Sequence, residues 1–257
     1  MFDASRRYVC IPPGITGGEA RRLAIEVYDR IDSTMDQPPP RLPGATIALE
    51  QTKGRGRRGN TWISPRGGAW LTLHLPGQQP TAPGFLPVAL GGCLAEALEQ
   101  LPGVEPGTIM VKWPNDLYTR QGKLAGILVE TRNGVLRIGV GVNVYNRAPP
   151  GAARLADHGY RGPLALVHLA ALEAALAALE QPHRGLEAAR KRDMLRGLHV
   201  ELETPTGRLA GIAIGITDTG AIRVKTAKGV VEAYCCTVLS WRELGTGSSG
   251  LCRDPAA

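Results

Sequence analysis

The sequence predicts an α+β fold in two unequal parts, a large mixed region of strands and helices followed by a small β-barrel. Three patterns support this prediction. Several segments within 25–144 alternate apolar and polar residues, as half-buried strands do. Residues 85–101, 164–180 and 184–197 instead carry the apolar spacing of helices. From His199 onward the chain contains only short alternating segments separated by turn residues.

The beginning of the chain is mixed in character, and residues 1–26 are predicted as an N-terminal extension with one short helix at 19–23. A strand is expected at 25–31, followed by a turn at D-S-T. The segment Q-P-P-P-R-L-P-G (37–44) is predicted as a surface connection, because proline interrupts helices. Two further strands are expected at 45–51 and 69–75, on either side of a basic, glycine-rich loop.

The middle of the chain adds three more strands. Residues 109–113 are predicted as a strand and the following P-N-D-L-Y (114–118) as a turn. Residues 123–144 are predicted as two strands joined at Asn133-Gly134, because Asn-Gly is a preferred pair for a two-residue hairpin turn. Residues 147–163 have the composition of a loop.

The C-terminal part is predicted as a five-stranded barrel, with a domain boundary near 197–199. Its strands are expected at 199–203, 209–216, 221–225, 229–234 and 237–240. The predicted domains are therefore the extension at 1–26, a large ligand-binding domain at 27–197, the barrel at 198–241 and a disordered tail at 242–257.

The composition is that of a soluble globular protein, with 43% hydrophobic and 21% charged residues. No apolar segment reaches the roughly 18 residues of a membrane helix, and the N-terminus lacks a signal-peptide pattern. Five cysteines form no C-x-x-C pair and five histidines lack ligand spacing, which argues against disulfides and zinc and predicts a reducing, cytoplasmic compartment. A nucleotide-borne magnesium ion would leave no such pattern, because it binds phosphates and water.

The basic charge is partly local. The net charge is +7, and the four basic residues of K-G-R-G-R-R (53–58) account for more than half of it. A glycine-rich loop between strands offers backbone N–H groups to an anion, and arginines add bidentate donors. The loop is neither a P-loop nor a dinucleotide fingerprint. By itself it fits a phosphate or carboxylate site, a nucleic-acid patch or a solvated turn.

Two further motifs place polar groups among apolar residues. In V-K-W-P-N-D-L (111–117), apolar neighbours flank Lys112, and a buried ammonium is costly unless it meets an anion. The alternative is a surface lysine beside an ordinary turn. In L-A-G-I-L-V-E and G-V-G-V-N-V, Gly126, Gly139 and Gly141 interrupt strands, which favours a close approach to the backbone. Asn143 needs a hydrogen-bond partner, either an adenine edge or a neighbouring main chain.

No catalytic triad and no close carboxylate pair is visible in the sequence. What the motifs have in common is the binding of anions and polar ligands at strand ends. They indicate phosphoryl or acyl chemistry achieved by positioning and charge neutralisation rather than by a protein nucleophile.

Five segments together resemble the biotin–protein ligases in order and spacing: D-S-T (32–34), G-R-G-R-R-G-N-T-W-I-S-P (54–65), K-W-P-N-D-L (112–117), G-K-L-A-G-I-L-V-E (122–130) and G-V-G-V-N-V (139–144). Each motif alone is modestly specific, and the ordered set is strongly so. The match spans about residues 27–240. It implies a class II synthetase-like mixed sheet with flanking helices and an SH3-like C-terminal barrel.

The resemblance also implies an activity. Members of this family condense biotin with ATP, in the presence of Mg²⁺, to biotinyl-5′-AMP and pyrophosphate. They then transfer the biotinyl group to a lysine of a biotin carboxyl carrier protein, such as that of acetyl-CoA carboxylase. A homodimer is compatible with the family. No DNA binding is expected, because the residues before 27 are fewer than the roughly 60 of a winged helix-turn-helix domain.

Site residues are carried over by position. The expected catalytic residues are Lys112, Arg55 and Arg57, with Lys112 bridging the biotin carboxylate and the α-phosphate. The expected biotin contacts are Ser33, Thr34, Gln51, Arg55, Gly56, Arg57, Lys112, Gly126 and Leu128. The expected adenylate contacts are Arg57, Arg58, Trp62, Lys112, Asn115, Lys123 and Asn143. Asp116 is the expected magnesium ligand.

Two departures from the family pattern lie beside the expected biotin site. Met35 stands where the family commonly has asparagine, and the proline-rich 37–44 replaces a helix, so weaker biotin binding is expected. Two alternative functions are weighed against the ligase. A lipoate or octanoyl transferase of the same superfamily would lack the G-R-G-R-R-G loop. A nucleic-acid-binding module would interleave aromatic and basic residues, and Trp62 is the sole aromatic residue near the loop.

Overall fold

The computed structural model describes residues 4–10, 22–39, 41–77, 84–234, 236–243 and 252–253. Within these ranges the chain forms an eight-stranded mixed sheet and a six-stranded antiparallel sheet. The strands of the large sheet are β1 (Ala4–Cys10), β2 (Arg22–Tyr28), β3 (Gly44–Ala48), β4 (Ala69–Pro76), β5 (Met110–Lys112), β6 (Asp116–Thr119), β7 (Gly122–Arg132) and β8 (Val135–Val142). The smaller sheet, the barrel domain, contains β9 (His199–Thr204), β10 (Gly207–Ile216), β11 (Ile222–Thr226), β12 (Gly229–Ala233), β13 (Thr237–Arg242) and β14 (Cys252–Arg253).

Three helices pack against the large sheet: α1 (Phe85–Glu99), α2 (Leu164–Glu180) and α3 (Pro182–Lys191). Short 3-10 helices lie at Arg57–Gly59 and Leu155–His158. The strand order of the large sheet is β1-β2-β3-β4-β8-β7-β6-β5, and only β2 and β3 pair in parallel. One continuous core extends from the sheet and helices into the barrel, where Val200 and Val224 are fully buried. No single described helix is long and apolar enough to span a membrane. Helices α2 and α3 together have the required length and composition, but they are bent by 114° where they meet.

The hairpin of β7 and β8 confirms the prediction at 123–144. Its turn residues Asn133 and Gly134 have φ values of 53° and 70°, as a two-residue turn with two left-handed positions requires. Helix α2 has the predicted bounds, and the five barrel strands lie where the sequence predicted them.

Several boundaries differ from the predictions. The strand expected at 25–31 is β2 (Arg22–Tyr28), so Arg22 and Leu23 are not helical, and 19–21 lie outside the described residues. Within the predicted N-terminal extension, β1 pairs along the whole of β2 and is therefore part of the large sheet. The tail at 242–257 lies largely outside the described residues, and β14 within it pairs with β13.

Two further corrections concern 114–118 and the third helix. The turn is limited to 113–115, and Asp116–Thr119 form β6, because Leu117 and Tyr118 are buried in the core. Helix α3 ends at Lys191, six residues earlier than predicted. Beyond it Asp193 forms an isolated backbone bridge with Val111, and residues 194–197 form turns.

Candidate active site

A cavity of about 240 Å³ lies over strands β6, β7 and β8, with part of its wall supplied by the barrel. Thirteen of the residues expected from the sequence line it: Ser33, Thr34, Gln51, Arg55, Gly56, Arg57, Arg58, Trp62, Asn115, Asp116, Lys123, Gly126 and Leu128. Two expected residues, Lys112 and Asn143, are outside this wall. The segments that the sequence singled out therefore converge on a single site.

One row of backbone pairing explains why the cavity has an open floor. Lys112 pairs with Asp116, Asp116 pairs with Gly126, and Gly126 pairs with Gly141 in neighbouring strands. Residues paired in this way project to the same face of the sheet. The row therefore passes from two charged side chains to two glycines, and the cavity lies over the glycines.

Two large side chains rest on that floor. A Cβ atom on Gly126 or Gly141 would lie 2.9 or 2.5 Å from the side chain of Trp62, and one on Gly139 would lie 2.6 Å from Met35 Sδ. The prediction that some group approaches these glycines closely is confirmed. In this structure the approaching groups belong to the protein itself, and Trp62 and Met35 cover neighbouring parts of the floor.

Hydroxyl and amide groups converge at one end of the cavity. Gln51 Oε1 accepts hydrogen bonds from the backbone N–H of Thr34 at 2.8 Å and from its hydroxyl at 3.1 Å. Gln51 Nε2 donates to Ser64 Oγ at 2.8 Å, and the Thr72 hydroxyl donates to Thr34 Oγ1 at 2.8 Å. Ser33 is buried beside them. These bonds fix the D-S-T turn against the cavity wall.

A buried histidine and arginine lie behind this polar end. Arg137 Nη1 donates a hydrogen bond to the carbonyl oxygen of Met35 at 2.6 Å and so holds the same turn from beneath. His74 is fully buried, and burial together with the nearby charge of Arg137 lowers its pKa to about 4. The imidazole is therefore neutral at physiological pH, which keeps a second positive charge away from Arg137.

The basic loop is folded over the site with its arginines paired. Arg55 donates two hydrogen bonds of 2.9 Å to the carboxylate of Glu130 and one of 3.1 Å to Asp36. Arg58 forms an ion pair with Glu203 of the barrel. Arg57 donates to Asn115 Oδ1 at 3.0 Å and to a barrel carbonyl oxygen at 3.2 Å. The loop thus joins sheet and barrel, and an incoming phosphate competes with carboxylates for Arg55 and Arg58.

A cluster of two lysines and one carboxylate lies at the other end of the row. Asp116 Oδ2 is 2.9 Å from Lys123 Nζ and 3.9 Å from Lys112 Nζ. Lys112 is only 1% exposed, whereas the side chain of Lys123 lines the cavity. The expectation that Lys112 itself touches both substrates stays a prediction, and the structure places this side chain outside the cavity wall. Lys112 belongs to the edge hairpin, two strands away from the floor glycine Gly126, and Lys123 is the lysine that reaches the cavity.

The sequence allows Asn143 two alternative partners, a main chain or an adenine. It is buried, its Nδ2 donates to the carbonyl oxygen of Lys123 at 3.4 Å, and its Oδ1 accepts from Asn146 at 3.0 Å. Main-chain and amide partners are thus supplied by the protein, and adenine recognition by Asn143 stays a prediction. Asn115 Nδ2 donates to the carbonyl oxygen of Ile127 at 3.0 Å, which orients its Oδ1 toward Arg57.

Three barrel residues complete the wall, and the sequence did not indicate them: Glu203, Thr237 and Leu239. Their strands carry the ordinary alternation of a barrel, so no local signal marks them. The sequence also did not indicate the acidic partners of Arg55, because Asp36 and Glu130 are 19 and 75 residues away from it in the chain.

The arrangement suits the joining of two anions. The carboxylate and amide groups that hold the arginines and Lys123 keep several positive charges within one small cavity. Positive charge fixed in place before reaction stabilises negative charge that builds up during phosphoryl or acyl transfer. No cysteine, serine or histidine among the described cavity residues is paired with a base as a nucleophile would be.

Comparison with known families agrees with this site. The chain matches the model of the biotin/lipoate A/B protein ligase family over residues 27–144 and that of the biotin protein ligase C-terminal domain over residues 197–235. The predicted α+β fold, with its class II synthetase-like sheet and its C-terminal domain, is confirmed.

Individual relatives extend the similarity over most of the chain. The biotin–[acetyl-CoA-carboxylase] ligase of Mycobacterium tuberculosis is 35% identical over 190 residues, 68% of this chain and 71% of that protein. The bifunctional ligase/repressor of Escherichia coli is 33% identical over 216 residues, 77% of this chain and 66% of that protein. The structure of an Aquifex aeolicus biotin protein ligase, in complex with biotin and ATP, covers 85% of this chain and 98% of its own with a TM-score of 0.75 and 26% identity. This chain belongs to the biotin protein ligases.

Proposed function

We propose that this chain activates biotin with ATP to biotinyl-5′-AMP and transfers the biotinyl group to a lysine of a biotin carboxyl carrier protein. The observation that carries the proposal is a single cavity with a polar, uncharged end at Thr34 and Gln51 and a positively charged end at Lys123. Biotin has the same polarity, with an uncharged ureido ring at one end and a carboxylate at the other.

The cavity orders the substrate along β7. From Lys123 to Leu128 the strand advances about 16 Å at roughly 3.3 Å per residue, which is long enough for the biotin rings and their carboxyl-bearing chain. The ureido group lies near Ser33, Thr34 and Gln51, and the chain crosses Gly126. The carboxylate then reaches Lys123.

The first step joins two anions. The biotin carboxylate oxygen attacks the α-phosphorus of ATP, a P–O bond forms, and the bond to pyrophosphate breaks. Lys123, with Arg57 of the loop beside Asn115, offsets the repulsion between carboxylate and phosphate and stabilises the charge that develops on the α-phosphate. Arg55 joins them once the incoming phosphate displaces Glu130 and Asp36 from its guanidinium. Lys112 lies behind Asp116, 3.9 Å from its Oδ2, and adds positive charge at this end of the site.

The second step consumes the mixed anhydride. The uncharged ε-amine of the carrier lysine attacks the biotinyl carbonyl carbon, an amide bond forms, and AMP leaves with the electron pair of the broken C–O bond. The amine nitrogen gives up one proton to water. The anhydride reacts with water, so it must be shielded until the carrier docks. Trp62 supplies part of that shield, because it lies directly over Gly126 and Gly141. The basic loop supplies the rest, because its arginines line the same cavity.

The residues present fit a nucleotide-borne magnesium ion. Asp116 lines the cavity, and its buried Oδ1 has no hydrogen-bond partner among the described residues. No group of three His, Cys, Asp or Glu side chains that would form a protein cage occurs in the described ranges. Asp116 would hold the ion together with phosphate oxygens and water, as magnesium prefers. When bound, Mg²⁺ neutralises phosphate charge.

The remaining expectations stay predictions. These are a carboxylase-type carrier as partner, the homodimer, the absence of DNA and membrane binding, and the cytoplasmic location. Light scattering at several concentrations measures the oligomeric state, and a gel-shift with duplex DNA tests nucleic-acid binding.

The proposal is tested by incubating the protein with ATP, Mg²⁺, biotin and a biotin carboxyl carrier domain. A carrier mass gain of one biotinyl group is expected, with none in the absence of ATP. A parallel reaction with lipoate distinguishes the alternative, because transfer of lipoate without transfer of biotin would overturn the proposal. Arg57→Ala is expected to abolish transfer, whereas the matched variant Arg223→Ala, on the barrel surface, should retain it.

A further inference from the structure

The barrel reaches the lysine cluster through one aromatic side chain. Trp241, on β13, is 6% exposed, and the ammonium of Lys112 lies 4.4 Å from the centre of its ring system. Tyr118 of β6 contributes a second ring, 5.2 Å from the same ammonium and perpendicular to Trp241 at 6.0 Å. The buried positive charge of Lys112 is thus held partly by the electron-rich ring faces.

Lys112 and Lys123 face the same carboxylate oxygen. Asp116 Oδ2 makes its short contact, 2.9 Å, with Lys123, and the distance to Lys112 Nζ is 3.9 Å. A lysine ammonium is a compact charge on a flexible stem, so a small movement would bring Lys112 to hydrogen-bonding distance. A second ammonium so close to the same carboxylate would repel that of Lys123 and weaken the contact that fixes Lys123 in the cavity.

We propose that Trp241 is a positioning residue for biotin activation, which holds Lys112 away from Asp116 and so keeps the Asp116–Lys123 pair in place at the cavity. The inference rests on the proposed biotin and ATP chemistry. It gives the barrel a role in the first half-reaction, because a residue of β13 determines the position of a lysine on β7.

The effect is expected on the rate of the chemical step more than on biotin binding. Lys123 at this position stabilises charge that develops on the α-phosphate, and interactions that strengthen in the transition state appear in kcat. Biotin binding depends mainly on the other end of the cavity, near Gln51 and Thr34. A substitution that only impaired folding would instead lower the fraction of active protein and leave the rate per active site unchanged.

The experiment compares Trp241→Leu with Trp241→Phe in biotin-dependent ATP–pyrophosphate exchange, with active sites counted from enzyme-bound adenylate. Leucine fills part of the space without a ring face, whereas phenylalanine retains one. Trp241→Leu is expected to lower kcat about tenfold with KM for biotin within about twofold, and Trp241→Phe to recover most of the rate. Equal rates per active site in Trp241→Leu and the wild type would overturn the inference, as would equal losses in both variants.

A double variant tests the route through Lys112. If Trp241 acts on Lys112, then Lys112→Met combined with Trp241→Leu should be no slower than Lys112→Met alone. Losses that multiply would show that the two residues act separately, and the inference would fail.

A matched control weakens a different contact of the barrel. Arg190 on α3 forms an ion pair with Asp218 of the barrel and has no part in the cavity. Asp218→Asn should leave kcat per active site unchanged, and a tenfold loss there would mean that any loosening of the barrel is sufficient. A wild-type protein without biotin-dependent exchange would overturn the proposed function itself, and with it the inference, so the two failures are distinct.

Discussion

Arg57 and Cys236 are joined by a hydrogen bond, although 179 residues separate them in the sequence: the guanidinium Nη2 donates to the carbonyl oxygen at 3.2 Å. The neighbouring Arg58 forms an ion pair with Glu203. The basic loop therefore contacts the barrel at two adjacent positions, and the position of the loop depends on the barrel.

Glu203→Gln is expected to speed the release of biotinyl-5′-AMP from the enzyme. Arg58 and Glu203 are both about half exposed, with side-chain exposures of 44% and 53%, so their pair is screened by solvent. A two- to fivefold faster release is expected, equivalent to less than about 1 kcal/mol. Release is measured by filtration after a single turnover without carrier. The control Glu232→Gln removes another barrel ion pair, with Arg223, and should not change release. Identical release rates in all three proteins would contradict the role of the loop–barrel contact.

Lys123→Met is expected to reduce adenylate formation by about 10²-fold or more, the scale observed when one preorganised donor is removed from a reaction centre. The methionine keeps the length of the stem and removes the charge. Rapid-quench measurement of biotinyl-5′-AMP gives the rate, and circular dichroism checks the fold. Lys228→Met, in the exposed turn between β11 and β12, serves as the matched control. A rate within threefold of wild type would show that Lys123 does not face the reacting phosphate.

Gly141→Ala and Gly139→Ala are expected to have unequal effects, although they lie two residues apart on β8. The new methyl group would lie 2.5 Å from the rigid indole of Trp62 in the first case and 2.6 Å from the flexible end of Met35 in the second. A flexible thioether moves at lower cost than an aromatic ring. We expect Gly141→Ala to raise KM for biotin more than Gly139→Ala does.

Steady-state kinetics measures this difference, and tryptophan fluorescence reports any displacement of the indole. The double variant Gly139→Ala/Met35→Ala should have the KM for biotin of the wild type, because Met35→Ala removes the thioether that the new methyl group would contact. Equal increases in KM for biotin in the two variants would mean that the Trp62 side chain moves away from Gly141 as easily as Met35 moves away from Gly139.

His168→Leu is expected to reduce the decrease in the free energy of unfolding that occurs at acidic pH. Burial lowers the pKa of His168 to about 4, so between pH 6.5 and 4 the unfolded chain binds more protons than the folded one. The free energy of unfolding therefore falls as the pH decreases through this range. Relative to the variant, the wild type should lose about 2–3 kcal/mol between pH 6.5 and 4.5, at about 1.4 kcal/mol per pKa unit. Urea unfolding at several pH values measures the difference.

Other buried groups do not disturb this comparison. His74, with a pKa lowered to about 4, contributes in the same direction in both proteins. Burial raises the pKa of Asp193 to about 6, so its contribution has the opposite sign and is lost as the pH rises. Both contributions cancel between variant and wild type. Parallel stability profiles would show that His168 is accessible to protons in the folded protein.

Local patterns predicted the elements whose causes are local. The hairpin at Asn133-Gly134 followed from two residues that accept left-handed backbone angles, and α2 followed from its apolar spacing. The floor glycines were recognised because glycine is unfavourable in a strand unless a group lies close to it. The fold class was therefore available from local patterns, whereas most of the cavity wall was available only from the resemblance to biotin–protein ligases.

The rest depends on which strands become neighbours. Lys112 and Lys123 are both lysines among apolar residues, and only the pairing of β5, β6 and β7 shows that one lies behind Asp116 and the other in the cavity. Glu203 acquires its partner Arg58 only when the barrel docks, 145 residues later in the chain. Strand order and docking are set by packing of the whole core, which no short window of sequence contains.

The contact between Trp241 and Lys112 also orders events in time. Synthesis proceeds from the N-terminus, and domains fold as their residues emerge, so the large sheet can assemble before β13 exists. Until then the ring that covers Lys112 is missing, and the lysine faces water rather than indole. A nascent or prematurely terminated chain would thus possess nearly the whole substrate cavity and still lack a fixed lysine beside the phosphate. The full rate of biotin activation is therefore expected only after β13 has been synthesised and Trp241 has packed against Lys112.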